Sequence, residues 1–228
     1  MVRTLLTACV FLVASQQLVA QTALPVVARP AAGSQQPLIL YITGDGGMKQ
    51  FSTKVVTAFQ DHNYPVVALN ALKYFWTRKA PEKAAADITV LIRQYQAQWH
   101  LGPEVILVGY SMGADVMPFV YNALPEEMKA KVQQLVLLSP SQFTDMEVHL
   151  SSMMGMSGNK GMSVAEALNR IIHTPLLLIF GEQEKDFSLA ALTIRGYKHL
   201  VLPGGHTYGD DAAGVVGKIV EILSGKHE

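Results

Sequence analysis

The stretch Glu104-Val-Ile-Leu-Val-Gly-Tyr-Ser-Met-Gly-Ala-Asp-Val116 decides how the chain is read. Val105 to Val108 is an apolar, β-branched-rich run, the composition of a strand covered on both faces. Gly109-Tyr110-Ser111-Met112-Gly113 follows, and Ala114 to Ala123 reads as a helix. A Gly-x-Ser-x-Gly between a strand and a helix is a nucleophile elbow. The turn is so tight that the serine is held in a strained backbone conformation, and side chains at Gly109 and Gly113 would strike neighbouring elements. The serine oxygen is thereby lifted beside the amino end of the helix, where free N–H groups and the helix dipole favour a developing oxyanion. The Met112 N–H is the expected donor. The competing reading is that Ser111 merely caps the helix, so the rest of the chain must decide.

Working outward, Pro37 to Thr43 reads as a buried strand that runs into Gly44-Asp45-Gly46-Gly47, then a helix from about Phe51 to His62. Pro65 to Leu69 is a second strand, and Asn70 to Ala80 a loop carrying Tyr74, Phe75, Trp76 and Arg78. A long helix starts at Pro81, a residue suited to the first turn, and the elbow strand is third. Gln133 to Leu138, Leu176 to Phe180 and His199 to Leu202 are the fourth to sixth strands, and Ala212 to Leu223 the last helix. This alternation predicts an α/β fold: a mostly parallel central sheet with helices on both faces, and ligands at the carboxyl ends of the strands. Residues 142–169, before the fifth strand, break the pattern. They hold Met146, Met153, Met154, Met156 and Met162 among glycines. Flexible thioethers suit a lid over an apolar substrate, or a helix whose methionines fill gaps in the core; the second reading is slightly favoured.

The 228 residues are half hydrophobic, 16% charged and formally neutral, which excludes a disordered chain and leaves no basic run for nucleic acid. Residues 1–20 have the form of a secretory signal peptide, with Arg3, an apolar run from Leu5 to Ala14, and Ala20 before the cleavage point. Residues 21–36 read as a leader or linker, and 37–228 as a single domain. The expected fate is therefore export from the cytoplasm. Cys9, the only cysteine, would leave with the signal, excluding a disulfide, a cysteine nucleophile and a thiolate metal site from the mature chain. No His-x-x-x-His pair or carboxylate triplet suggests a metal, and no cofactor is expected.

A serine needs a base to take its proton and a carboxylate to orient that base, in the chain order Ser, acid, His. Of seven histidines, His206 alone combines this order with a loop directly after the last strand, Leu202-Pro-Gly-Gly-His206. Gly181-Glu-Gln-Glu-Lys-Asp186 offers the acid. Asp186 is the preferred member, as a short side chain deeper in the loop, with Glu184 competing at a Gly-x-x-acid spacing. The second oxyanion donor should come from the loop after the first strand, where the Asp45 N–H is best placed. The Asp45 carboxylate either recognises a cationic group on the substrate or bonds its own turn. Asp115, one turn into the elbow helix, poses the same choice, with the structural role favoured.

Thr43-Gly-Asp-Gly-Gly47, Lys73-Tyr-Phe-Trp76 with Arg78, Gly109-Tyr-Ser-Met-Gly-Ala-Asp115 and Leu202-Pro-Gly-Gly-His206 together resemble the VirJ family. These are exported α/β-hydrolase-like proteins of bacterial virulence loci, also found as the C-terminal domain of AcvB. The resemblance runs from about Leu38 to the last helix. It implies an α/β-hydrolase fold, a triad of Ser111, Asp186 and His206, and either of two roles. One is hydrolysis of an aminoacyl ester of phosphatidylglycerol, such as the lysyl ester, at the periplasmic face of the inner membrane. The other is assistance to type IV secretion, with secreted or secretion-system proteins as partners. For the first role Asp45 or Asp115 would hold the substrate amine, while Tyr74 and Trp76 would meet the lipid. Met48, Met112 and Thr207 depart from the family pattern, which bears on the substrate more than on the triad. A general carboxylesterase is the remaining alternative.

Overall fold

The computed structural model describes residues 24–149 and 161–225. The signal-peptide reading of residues 1–20, Cys9, and Met153, Met154 and Met156 of the proposed lid lie outside them.

Seven strands form one sheet: β1 (Val26–Arg29), β2 (Leu38–Ile42), β3 (Val66–Leu69), β4 (Val105–Tyr110), β5 (Val132–Leu138), β8 (Leu176–Gly181) and β9 (Lys198–Leu202). Short strands β6 (Phe143–Thr144) and β7 (Met162–Ser163) pair separately. The helices are α1 (Gln50–Asp61), α2 (Ala71–Tyr74), α3 (Pro81–Gln98), α4 (Met112–Ala123), α5 (Glu126–Lys129), α6 (Val164–Leu168) and α7 (Ala212–Leu223). Strand order is β1-β3-β2-β4-β5-β8-β9, and all neighbours are parallel except β1 on β3. This is the α/β architecture expected from the alternation of apolar runs and helices.

The period of two in the strands divides the core between the faces of the sheet. In β2, Leu38, Leu40 and Ile42 face Ala84, Ile88 and Ile92 of α3 and Val116, Met117 and Val120 of α4. Ile39 and Tyr41 turn the other way, to Val55 and Phe59 of α1 and Val215, Val216 and Ile219 of α7. All five β2 residues and all six of β4 and β8 are buried, which is why these strands are continuous apolar runs and not alternating ones. Each such side chain contributes about 1.5–3 kcal/mol, so the centre of the sheet is the rigid base for the loops at its carboxyl edge. The chain leaves β2 for β3 on one side and returns across it to β4 on the other. That reversal opens a crevice at the ends of β2 and β4, where α/β sheets bind ligands.

Two expectations need correction. The 21–36 stretch is not only a linker, because Val26–Arg29 pairs antiparallel with Val66–Leu69 and covers that edge of the sheet. Tyr74 does not face a lipid: α2 turns it inward, where it is buried and donates to Asp87 Oδ2 at 2.6 Å. Of the aromatic triplet Tyr74-Phe75-Trp76, Phe75 is fully buried and Trp76 is exposed. In the methionine-rich segment, Met146 is fully buried and Met162 is exposed on β7, so the two described methionines divide between filling the core and lying at the surface. Among the described residues no helix is long and apolar enough to cross a membrane.

Candidate active site

The elbow is built by steric exclusion. A Cβ on Gly109 would overlap the Gly113 carbonyl, and one on Gly113 would overlap the carbonyls of Ile42 and Thr43. With both positions bare, α4 starts directly against the end of β2. Ser111 between them takes φ 52° and ψ −121°, a region that costs a side-chain-bearing residue about 1–3 kcal/mol. Its N–H donates to the Leu138 carbonyl at 2.9 Å and its carbonyl accepts from Asp115 N at 2.9 Å, so the strain is held from both sides. The Ser111 side chain makes no cap bond to the helix. Its Oγ lies 2.9 Å from His206 Nε2 instead. The capping alternative is thus set aside.

His206 is delivered by the turn after β9. Tyr110 Oη donates to the His206 carbonyl at 3.1 Å, and the Tyr110 ring lies 5.4 Å from the imidazole. The elbow's own tyrosine therefore fixes the backbone of His206. On its other side, His206 Nδ1 is 2.6 Å from Glu184 Oε1.

Glu184, and not Asp186, is the carboxylate bonded to His206. The reason is the turn. Glu184 N donates to the Gly181 carbonyl at 3.0 Å, and Gly181 N donates back to Glu184 Oε2 at 2.7 Å. The chain folds over the end of β8 at the third residue past Gly181, and the longer side chain reaches back to the imidazole. Asp186 has by then left the turn and is exposed. Preference for the shorter acid misjudged how early the loop closes.

The electrostatics follow from this line of groups. Burial acts to raise the Glu184 carboxyl, but hydrogen bonds from His206, the Gly181 N–H and Ser139 outweigh it and hold it below the usual carboxylate range. Burial acts to lower the His206 imidazole, but the Glu184 hydrogen bond and charge, with Asp115 and Asp45 further off, raise it above the usual histidine value. A base raised and oriented in this way suits proton transfer near neutral pH.

A cavity of about 350 Å³ opens over Ser111 and His206, bounded by Gly44 to Gly47, Lys49, Phe51, Tyr110 and Asp210 among others. Asp45 lines it in a turn closed by Gly47 N donating to the Gly44 carbonyl at 2.9 Å. A Cβ on Gly44 would come within 3.2 Å of Ser111 Cβ, so this loop abuts the serine. Met112 follows Ser111 at the first position of α4. Asp115 stands elsewhere. It is buried and accepts from Ser141 N at 2.6 Å and Ser141 Oγ at 2.7 Å. It ties the loop after β5 to the elbow helix, the structural role of the two considered, and burial pushes its carboxyl up to about 7 despite those bonds. Tyr74, Trp76 and Asp115 are not among the residues lining the cavity.

The fold also assembles groups that sequence reasoning missed. Ser139 and Tyr208 stand behind Glu184, and Lys49 and Asp210 border the cavity. Ser139 carried one available signal, its place at the end of a buried strand. Asp145, Glu147 and His149 come within 4.8 Å of one another, but Arg78 already supplies a cation, 3.4 Å from Asp145 and 3.6 Å from Glu147.

The profile of the family described as Bacterial virulence protein (VirJ) matches residues 36–227. The chain belongs to the VirJ family. No curated protein matches it significantly. Among solved structures, Est1E from Butyrivibrio proteoclasticus, determined with ferulic acid bound, aligns with a TM-score of 0.62 at 12% identity, over 89% of this chain and 95% of that one. The carboxylesterase CesB from Bacillus subtilis gives 0.58 at 13%, over 89% and 88%. The thioesterase domain from the curacin biosynthetic pathway gives 0.56 at 16%, over 87% and 99%. At such identities these likenesses establish the fold, and this VirJ member has the α/β-hydrolase fold.

Proposed function

We propose that the protein is a serine esterase of the periplasm that hydrolyses an aminoacyl ester of phosphatidylglycerol, such as the lysyl ester, at the membrane surface. The observation that carries the reading is the unbroken line Ser111 Oγ, His206 Nε2, His206 Nδ1, Glu184 Oε1, with spacings of 2.9 and 2.6 Å, at the floor of an open cavity. In this reading Ser111 Oγ attacks the ester carbonyl while His206 Nε2 takes its proton. Glu184 stabilises the imidazolium that forms. The tetrahedral oxyanion is held by the N–H groups of Met112 and Asp45. His206 then protonates the departing glycerol oxygen, leaving an aminoacyl group on Ser111. Water, deprotonated by His206, releases the amino acid and restores the serine. The Asp45 carboxylate at the cavity wall supports an ammonium-bearing acyl group, and Lys49 offers a cation to the phosphodiester.

The test is release of free lysine from lysyl-phosphatidylglycerol vesicles by wild type and Ser111→Ala. The expected result is release by wild type alone. No release from either, with Ser111 still labelled by a fluorophosphonate, would leave a serine hydrolase and overturn the substrate. No labelling of the folded protein would overturn the enzyme and favour a secretion accessory that works by binding.

A further inference from the structure

Behind the line of reacting groups lies a second one that the mechanism above does not use. Glu184 Oε1 faces His206 and its Oε2 faces backwards, accepting from Gly181 N and from Ser139 Oγ, each at 2.7 Å. Ser139 Oγ is in turn 2.7 Å from Tyr208 Oη. Both residues are buried, so proton positions can be assigned by counting. Glu184 as a carboxylate only accepts, and the single Ser139 hydroxyl proton must therefore point at Oε2. Ser139 Oγ is then left as an acceptor. Tyr208 Oη has one proton and two oxygens within reach, Ser139 Oγ and the Ile179 carbonyl at 2.9 Å. The Ile179 carbonyl can accept from Tyr208 as well as from Ser139 N at 2.8 Å. The 2.7 Å approach of the Ser139 and Tyr208 oxygens, however, needs a proton between them, and only Tyr208 has one left to share. The proton balance is best met with Tyr208 donating to Ser139 and Ser139 to Glu184.

Backbone strain marks the same two residues. Ser139 has φ 51° and Tyr208 φ 55°, a region that side-chain-bearing residues seldom occupy and that persists where surrounding contacts over-determine it. Ser139 directly follows β5 in the loop tied down by Asp115, and Tyr208 sits two residues beyond His206. The pair thus connects the loops after β5, β8 and β9 through buried hydroxyls.

We propose that Ser139 and Tyr208 are positioning residues for the hydrolytic reaction: a Tyr208–Ser139 hydroxyl relay fixes the triad acid Glu184, orients its free oxygen on His206 and sets how strongly it acts on the imidazole. This rests on the serine-hydrolase reading, but the relay itself can be measured without turnover. Groups facing the His206 ring are Glu184, Asp115, Asp45 and the Ser111 hydroxyl, and those facing Glu184 are His206, Ser139, Tyr110 and Tyr208. Of these only Ser139 and Tyr208 change in the experiment.

The informative variants are Ser139→Gly and Tyr208→Phe. Glycine removes the hydroxyl while relieving the positive φ, and phenylalanine keeps the ring. A hydrogen bond to a charged group commonly contributes enough to change a rate about tenfold when it is lost. Ser139→Gly is therefore expected to lower the turnover number about tenfold with KM unchanged. Without its rear donor Glu184 becomes a stronger base, so the His206 titration, followed by imidazole NMR on substrate-free protein, moves to higher pH. Tyr208→Phe should do both to a smaller extent, and should add nothing in the Ser139→Gly background. A folded Ser139→Gly protein with the wild-type His206 titration would overturn the relay, as would additive effects of the two substitutions. If no ester is turned over but the titration moves as described, the relay stands and the hydrolase reading fails; the reverse pattern separates them the other way.

Discussion

Glu184 and Asp186 lie two positions apart in one acidic turn, yet only Glu184 meets the imidazole. The difference gives a direct test. Glu184→Gln puts an amide against His206 Nδ1 and removes the negative charge that stabilises the imidazolium. Loss of the corresponding group in serine proteases lowers turnover by about 10⁴-fold, and a fall of roughly 10³–10⁴-fold is expected here, read from single-turnover ester hydrolysis. Asp186→Asn, on an exposed side chain, should change the rate less than about twofold, as surface substitutions away from a site usually do. Reversal of that ranking would return the role to Asp186. The residue types alone left the two in competition because reach is decided by the Gly181–Glu184 turn, and that turn is closed in part by the Gly181 N–H donating to the Glu184 side chain itself. By contrast Ser111 and His206 were legible, one from a spacing that admits few geometries and the other from chain order.

At the scale of elements the elbow is the joint on which the site depends. Gly113 lets α4 approach the end of β2 so closely that any Cβ meets the Ile42 and Thr43 carbonyls. Backbone carbonyls in a central strand have no room to yield. Gly113→Ala should therefore destabilise the protein by about 3 kcal/mol or more, a large overpacking penalty, visible as a lower denaturant midpoint. A Gly217→Ala control in α7, where an added Cβ meets nothing, should be neutral or mildly stabilising. A wild-type midpoint for Gly113→Ala would contradict the account of the elbow. The strands of the central sheet could be read because burial on both faces demands unbroken apolar runs. The edge strand Val26–Arg29 could not, since half-buried and only four residues long it differs little from an extended linker. Tyr74 was misplaced for a related reason: an aromatic beside Phe75 and Trp76 reads as a surface patch until α2 and the Asp87 partner are seen.

For the whole molecule, the charges that shape the site also shape the stability curve. Burial lifts Asp115 to about 7, so the folded chain binds a proton there that the unfolded chain releases near the usual aspartate range, about 4. The protonated form thus favours folding in acid, and this contribution is lost as pH rises from about 4 to 7. Asp115→Asn keeps the Ser141 partner and cannot ionise. Its stability relative to wild type should improve across that window by on the order of a few kcal/mol and level off above it, measured by urea unfolding at several pH values. A constant difference at all pH values would mean that Asp115 does not titrate there. Glu184 works in the opposite sense, since its lowered carboxyl contributes stability above the usual carboxylate range that is lost as pH falls. The architecture was legible from the order of strands and helices, whereas these couplings join the loops after β4, β5, β8 and β9, which are distant in sequence. The central claim is that Ser111 is a nucleophile made reactive by His206 and Glu184. Its most direct test is intact-mass analysis after brief exposure of wild type, Ser111→Ala and His206→Ala to a fluorophosphonate. One adduct on wild type, mapped to Ser111, with none on Ser111→Ala and strongly slowed addition to His206→Ala is the predicted result; a folded wild type that stays unlabelled, or labels elsewhere, would contradict it.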